Sequence, residues 1–218
     1  LTGPTLSQII HDGGPMRIDD GIHVALEVAR ALQTAHRIGI VHRDIKPGNV
    51  MYHHDQVKLL DFGIAQLARN LGAALTAPAT ALGTAAYMSP EQATGEGATE
   101  KSDWYAMGCL LMTMFTGQPP FSGDPLAVAN QQINTAPPQV AARRPEVPPA
   151  LDRLVAGLLA KDPAQRPSGD QVVEQLRQLA GDPNAGTVLM SPDDAPTAAW
   201  GIGATSVMGA GTAAMSDA

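Results

Sequence analysis

The stretch from His42 to Val50, with the sequence HRDIKPGNV, concentrates side chains that could carry out phosphoryl transfer. The carboxylate of Asp44 can accept the proton of an attacking hydroxyl group, and the ammonium group of Lys46 can neutralise charge on a transferring phosphoryl group. The side-chain oxygen of Asn49 can bind a metal ion, and Asp61, which follows an apolar strand pattern in LLDFG, offers a second metal-binding carboxylate. Hard oxygen ligands of this kind suit Mg²⁺. The pattern predicts a magnesium-assisted phosphoryl-transfer site.

These segments resemble the catalytic loop and the DFG segment of bacterial Hanks-type (eukaryotic-like) serine/threonine protein kinases. A third segment, GTAAYMSPE at residues 83–91, resembles the end of a kinase activation segment. The resemblance implies that Asp44 is the catalytic base and that Lys46 contacts the phosphates of ATP. It also implies that Asn49 and Asp61 hold Mg²⁺ against those phosphates.

The same resemblance defines the expected reaction. Lysine two residues after the catalytic aspartate, as Lys46 follows Asp44, is typical of the serine/threonine members of the family. The resemblance therefore implies that ATP, with Mg²⁺, donates its γ-phosphoryl group to Ser or Thr hydroxyls of protein substrates. Met51 is expected to pack beneath the adenine ring of ATP.

Residues 61–91 correspond to the activation loop of these kinases, and we expect phosphorylation to regulate this loop. Arg43 directly precedes the catalytic aspartate, and kinases with arginine there are commonly activated when a loop phosphate pairs with it. Thr76 and Thr80 are the candidate phosphorylation sites, of which Thr76 is favoured. Thr84 is expected to shape the substrate pocket.

Five further residues are expected to fix the architecture. His42 is expected to pack under Phe62 and to set the geometry of the catalytic loop. Glu91 and Arg166 resemble the buried ion pair that ties the activation segment to the helical base. Asp103 resembles the helix aspartate that holds the backbone of the catalytic loop.

Apolar periodicity around these segments predicts a mainly helical fold with one small β-hairpin. It predicts a short helix that Gly13 and Gly14 end, a longer helix that Asp19 or Asp20 caps, and a helix over residues 102–116. Further helices are predicted near residues 124–133, 149–160 and 168–180, and short strands at NVMY (49–52) and VKLL (57–60).

The resemblance divides the chain at about residue 180. Residues 1–180 correspond to a protein-kinase C-lobe, and no Gly-rich phosphate lid or strand lysine precedes His42, so the N-lobe is expected to be missing. Residues 181–218 are rich in Ala, Gly, Thr, Ser, Pro and Asp. We expect them to form a low-complexity disordered tail or linker, because such a composition buries too little apolar surface to offset the entropy of ordering.

The composition limits which binding partners and which cellular compartment are expected for this chain. The net charge of −7 argues against a nucleic-acid binder. The single cysteine, Cys109, excludes an internal disulfide and is expected to be a buried structural thiol in a reducing compartment. The chain contains no apolar run of about 20 residues, so no membrane segment is predicted. We expect a cytoplasmic location, and a longer parent protein could add a membrane anchor.

Two other functions remain open at this point. The first is a catalytically inactive C-lobe that acts as a docking or interaction module, because the ATP lid is absent while the substrate side is present. The second is a small-molecule phosphotransferase, since antibiotic kinases share the H-x-D-x-x-x-x-N pattern. Lys46 and residues 83–91 argue against this second function, because in protein kinases those parts receive a peptide.

Overall fold

The computed structural model describes residues 3–53, 56–60 and 85–181 of the 218-residue chain. These residues form a mainly helical body that carries a two-stranded antiparallel sheet, which confirms the predicted fold class. The predicted tail at 181–218 lies outside the described residues apart from Gly181. The helices are α1 (Leu6–Gly13), α2 (Ile18–Arg37), α3 (Pro90–Ala93), α4 (Glu100–Thr116), α5 (Pro125–Asn134), α6 (Val140–Arg143), α7 (Pro149–Leu158) and α8 (Gly169–Leu179). The strands are β1 (Val50–His53) and β2 (Gln56–Leu59), and short 3₁₀ turns cover Pro47–Asn49 and Pro163–Gln165.

Local side-chain contacts explain where the first two helices begin. The hydroxyl of Thr5 accepts a hydrogen bond from the backbone N–H of Gln8, and the Gln8 side chain accepts one from the Thr5 N–H, which forms a capping box. Helix α2 begins directly after Arg17, so the predicted capping role of Asp19 or Asp20 is wrong. Both carboxylates lie in the first turn instead, where they face the positive end of the helix dipole.

Helix α4 forms the centre of the hydrophobic core, and nearly all of its side chains are buried. It begins after the N-cap Thr99, two residues earlier than predicted, and ends at Gly117, whose φ of 77° suits glycine. A Cβ atom on Gly21 of α2 would lie 2.5 Å from a ring carbon of Phe115, so glycine permits the close approach of α2 to α4. Helices α7 and α8 complete the base of the core.

Cys109 lies on α4 with no exposed surface and forms no disulfide bond. Burial raises the pKa of its thiol to about 12, which keeps it protonated and unreactive. The prediction of a buried structural thiol is therefore confirmed.

The small sheet positions the end of the catalytic loop. Val50 pairs with Leu59 and His53 pairs with Gln56, so the strands lie one residue nearer the turn than the predicted segments. Beyond the paired residues, the backbone N–H of Leu60 donates to the carbonyl of Asn49 over 2.8 Å. This bond brings the residue before Asp61 next to Asn49. None of the helices in the described part of the chain is long and apolar enough to cross a membrane.

Candidate active site

The catalytic loop, residues 42–49, connects α2 to β1 and is anchored by its apolar side chains. Ile45 is fully buried, Pro47 is buried, and Val50 at the start of β1 is fully buried. The polar residues between them remain partly exposed, because a loop pinned at alternate positions turns the intervening side chains outward. Burial of the apolar residues therefore presents Asp44, Lys46 and Asn49 together.

Three polar side chains of this loop meet at Asp44. The Lys46 ammonium group lies 2.7 Å from Asp44 Oδ2, and the Asn49 amide nitrogen donates to the same oxygen over 2.9 Å and to the Asp44 carbonyl over 2.7 Å. The side chains of Asp44 and Lys46 remain 20% and 27% exposed. Within the described residues no hydrogen bond reaches Asp44 Oδ1. Among the described residues, one carboxylate oxygen is thus held and the other has no hydrogen-bond partner.

The Asn49 amide is oriented by the same contacts. Its nitrogen donates to Asp44, so its oxygen points elsewhere, and no group in the described parts of the chain binds that oxygen. A free amide oxygen is a suitable Mg²⁺ ligand. Asn49 therefore fits the metal-binding role implied by the resemblance, while Asp61 lies outside the described residues.

Asp103 of α4 holds the backbone of the catalytic loop from below. Its carboxylate, 1% exposed, accepts hydrogen bonds from the backbone N–H groups of His42 and Arg43, each over 2.7 Å. It also lies 2.8 Å from Nε2 of His36 on α2. Arg43 has a φ of 71°, the left-handed conformation that costs a non-glycine residue about 1–2 kcal/mol. The two N–H bonds to Asp103 maintain that conformation.

His42, at the start of the catalytic loop, is fully buried. One ring nitrogen lies 3.1 Å from the Leu60 carbonyl and so links the catalytic loop to the segment that leads to Asp61. Burial lowers the pKa of this imidazole and outweighs the opposing effect of the Asp103 carboxylate, so the ring is neutral at pH 7. Its predicted partner Phe62 lies outside the described residues.

The described end of the activation segment, residues 85–93, contacts the catalytic loop and the helical base. The Gln92 side chain donates to the Arg43 carbonyl over 3.3 Å and accepts from the Ser89 N–H over 3.1 Å. The Tyr87 hydroxyl lies 3.2 Å from the Thr113 hydroxyl on α4. These bonds fix the segment beside Asp44.

Glu91 and Arg166 form a two-pronged ion pair in the base. The two guanidinium NH groups lie 2.7 and 2.9 Å from the two carboxylate oxygens, and the Ser102 hydroxyl donates to Glu91 over 2.7 Å. Arg166 also donates to three backbone carbonyls, those of Ala160, Lys101 and Lys161. Burial alone would raise the pKa of Glu91, but the hydrogen bonds from Arg166 and Ser102 hold it below its usual value.

Met51 lies on β1, opposite Lys58, and is only partly buried. Its backbone also pairs with Thr5 in an isolated bridge, which joins the start of the chain to the sheet. Phe62, Thr76, Thr80 and Thr84 fall outside the described residues, so their roles stay predictions. Within the described ranges, no cluster of three or more His, Cys, Asp or Glu side chains forms a metal site.

Three residues with structural importance were missed by the sequence reasoning. His36 binds Asp103, Gln92 binds the catalytic loop, and Gln132 binds residues 85 and 86. His36 and Gln132 lie on helices whose periodicity was visible, whereas α3, which carries Gln92, is too short for a periodic signal. A lone His or Gln on a helix carries no signal of its distant partner. For Gln92, the pattern Ser-x-x-Gln in SPEQ indicates a capping box and could have assigned half of its contacts.

Comparison with known proteins identifies the family. The model of the protein kinase domain matches residues 1–176. A probable serine/threonine-protein kinase of Streptomyces coelicolor is 40% identical over 213 residues, which cover 91% of this chain and 32% of that protein. Serine/threonine-protein kinases PknB of Mycolicibacterium smegmatis and Mycobacterium tuberculosis are 43% and 42% identical over 168 residues, 76% of this chain and 27% of each relative.

The chain thus spans about a third or less of the length of these relatives. The matched residues contain the whole catalytic loop and both partners of the Glu91–Arg166 pair. The chain therefore belongs to the protein kinase domain family and resembles its bacterial Hanks-type serine/threonine members, as its motifs predicted.

Proposed function

We propose that the protein to which this chain belongs is a serine/threonine protein kinase that transfers the γ-phosphoryl group of ATP to Ser or Thr hydroxyls of proteins. The observation that carries the proposal is the contact of Lys46 and Asn49 with a single oxygen of Asp44. Phosphoryl transfer needs this combination of a base, a cation and a metal-binding oxygen at one point.

Asp44 is the proposed catalytic base. Lys46 and Asn49 hold its Oδ2, so the carboxylate cannot rotate freely, and Oδ1 is left to accept the proton of the substrate hydroxyl. A carboxylate is a weak base, so its main effect is to orient the hydroxyl and to take the proton late.

Lys46 and Asn49 serve the phosphate side of the proposed site. The Lys46 ammonium group, within 2.7 Å of Asp44, supplies positive charge where the transferring phosphoryl group passes the attacking hydroxyl. The Asn49 amide oxygen and the Asp61 carboxylate would hold Mg²⁺, and Met51 would face the adenine. Mg²⁺ supplies charge neutralisation of the ATP phosphates when bound.

Arg43 supports regulation by phosphorylation of residues 61–91. Its backbone is held by Asp103, while its guanidinium group forms no ion pair within the described residues. A phosphate on Thr76 or Thr80 would provide that partner and order the loop. Protein substrates and ATP are the proposed partners, and the reaction is proposed to occur in the cytoplasm, where ATP is supplied.

The test is transfer of ³²P from ATP-Mg²⁺ to casein by the chain and by its Asp44→Asn variant. We expect the variant to lose about 10²–10⁴-fold in rate, because Asn cannot accept the proton. Asp12→Asn, on the exposed surface of α1, is the matched control and should retain the full rate. Absence of transfer by the wild type would contradict activity of this chain and favour the docking-module alternative.

A further inference from the structure

Gln132 is an unusual residue for the inner face of α5, because its side chain is polar and has no exposed surface. A buried amide is costly unless its donors and acceptor are satisfied. Here the amide nitrogen donates to the carbonyls of Ala85 and Ala86 over 3.3 and 2.9 Å, and the amide oxygen lies 2.6 Å from the Tyr105 hydroxyl. All the polar atoms of the side chain are therefore used.

Chemistry fixes the direction of these bonds. The Lys161 ammonium group, which can only donate, lies 3.1 Å from the Tyr105 hydroxyl. The Tyr105 hydroxyl accepts a hydrogen bond from Lys161 and donates its own O–H to the Gln132 oxygen, which can only accept. The Gln132 amide cannot flip without losing this bond, so its N–H groups must face Ala85 and Ala86.

Lys161 reinforces the same helix from a second side. Its ammonium group donates to the Gln132 and Gln131 carbonyls over 2.7 and 3.3 Å, close to the negative end of the α5 dipole. It also lies 4.8 Å from the centre of the Phe121 ring. Burial and the nearby Arg166 charge lower the pKa of Lys161 to about 8, so the group is mostly charged at pH 7.

The bonded carbonyls belong to the first described residues of the activation segment, just before Tyr87 and Gln92, which contact α4 and the catalytic loop. Ala85 packs against Phe121 and Val128 in a small cluster separate from the main core, and alanine side chains provide little contact area. Ala85 also accepts a bond from the Met88 N–H, at 3.3 Å. Among the described residues, the two bonds from Gln132 are the hydrogen bonds that attach this backbone to α5.

We propose that Gln132, held by Tyr105 and Lys161, is a positioning residue for the protein substrate: it sets the backbone of Ala85 and Ala86, on which the substrate peptide docks. This inference rests on the proposed function, because in the protein kinases that this chain resembles the segment corresponding to residues 83–91 receives the peptide substrate. Gln132 does not touch the reacting atoms, so it affects substrate affinity and leaves the chemical step unchanged.

Gln132→Glu tests the inference directly. The carboxylate keeps the shape of the side chain and still accepts from Tyr105, but it removes both N–H donors to Ala85 and Ala86. Gln132→Met, which keeps the volume without a buried charge, is the second variant should the first fail to fold. Gln118→Glu, on the exposed turn after α4, is the control for the added negative charge.

The measurements are casein affinity by fluorescence anisotropy, hydrogen–deuterium exchange of the Met88 amide, and steady-state kinetics. We expect the dissociation constant and the KM for casein to rise about tenfold in Gln132→Glu, as for loss of one or two hydrogen bonds. Met88 exchange should accelerate, while kcat, the KM for ATP and the Gln118→Glu control should stay within about twofold of the wild type.

A purely structural role predicts a different result. The inference would be overturned if the wild type and Gln132→Glu bound casein with equal affinity, whether or not exchange of the Met88 amide became faster. Casein affinity can be measured without phosphoryl transfer. If the proposed function fails, the wild type will therefore show no phosphoryl transfer, while the difference in casein affinity between the two proteins persists.

Discussion

The catalytic loop and the Glu91–Arg166 anchor both bring opposite charges within 2.7 Å, yet their surroundings differ. The Asp44 and Lys46 side chains are 20% and 27% exposed, whereas those of Glu91 and Arg166 are 8% and 0% exposed. In the anchor, the guanidinium group also binds three backbone carbonyls, so its hydrogen-bonding capacity is used within the protein. In the catalytic loop, Asp44 Oδ1 and the Asn49 amide oxygen have no partner among the residues described.

The difference separates charges that hold the fold from charges to which the proposed function assigns a ligand. A buried ion is tolerated only when its partners saturate it, since the cost of removing it from water is several kcal/mol. A reactive group must instead keep an unsatisfied oxygen or proton, so it needs access to water or substrate. The two pairs differ more in their solvent exposure and in their unused hydrogen-bonding capacity than in their distances.

The largest expected effect comes from breaking the anchor. Arg166→Met should lower the free energy of unfolding by about 3–5 kcal/mol, because it leaves the Glu91 carboxylate buried without its partner. Urea unfolding monitored by circular dichroism measures this change. Arg153→Met, on the exposed face of α7, is the control and should change the stability by less than about 0.5 kcal/mol. A cost of less than 1 kcal/mol for Arg166→Met would show that the anchor contributes no more than a surface pair.

The second effect joins the two regions, because Asp103 is a buried charge that serves the catalytic loop. Asp103→Ala leaves the N–H groups of His42 and Arg43 without an acceptor. We expect a loss of about 2–4 kcal/mol, from roughly 1–2 kcal/mol for each of the two stranded donors, the lower part of the usual cost of an unsatisfied buried donor. The rate of phosphoryl transfer should fall as well, since Asp44 follows these residues directly.

The same unfolding and transfer assays check the Asp103 prediction, with Asp19→Ala in the first turn of α2 as the control. That exposed carboxylate lies at the positive end of the helix dipole, and its removal should cost less than about 1 kcal/mol. Equal losses in the two variants would mean that Asp103 contributes no more than an exposed first-turn carboxylate.

Contiguous motifs explain why much of the fold and the catalytic loop could be predicted. HRDIKPGN places Asp44, Lys46 and Asn49 within one turn of backbone, so their meeting depends on local geometry. The long helices followed from apolar periodicity, whereas the four-residue helices α3 and α6 are too short for a periodic signal. The wrong cap of α2 arose because carboxylates suit both the N-cap and the first turn.

Contacts between distant residues explain what could not be predicted. His36 and Asp103 are 67 positions apart, and Gln132 lies 46 positions from Ala86, so only the packing of α2, α4 and α5 brings them together. A histidine or a glutamine in the sequence does not by itself indicate a buried side chain. The roles of Asp61, Thr76, Thr80 and Thr84 remain predictions from the family resemblance.

A substitution at Arg43 provides a smaller test of the catalytic loop, in which the sign of the change in the free energy of unfolding is informative. Arg43→Gly relieves the left-handed backbone strain of about 1–2 kcal/mol. Because glycine makes the unfolded chain more flexible, the same substitution raises the entropic cost of folding by roughly 0.5–1 kcal/mol. We expect the variant to be more stable by about 0.5–1 kcal/mol in urea unfolding. Arg153→Gly, inside α7, should lose about 1 kcal/mol. Destabilisation of both variants by the same amount would contradict strain at Arg43.

The smallest expected effect is the pH dependence of the anchor. The pKa of Glu91 in the folded protein lies below its ordinary value of 4.5, so the unfolded chain binds the proton more tightly. The stabilisation is therefore fully present above about pH 4.5 and decreases as the pH falls through the folded pKa.

The stability difference between the wild type and Glu91→Gln isolates this contribution, because all other carboxylates are common to both proteins. We expect that difference to shrink between about pH 6.5 and pH 3.5 in urea unfolding. Exposed pairs are screened by solvent, so Glu146→Gln, which removes the exposed partner of Arg144, should show little change over the same range. A difference for Glu91 that is independent of pH would mean that the hydrogen bonds of Arg166 do not favour the ionised carboxylate, and the anchor would then act by shape alone.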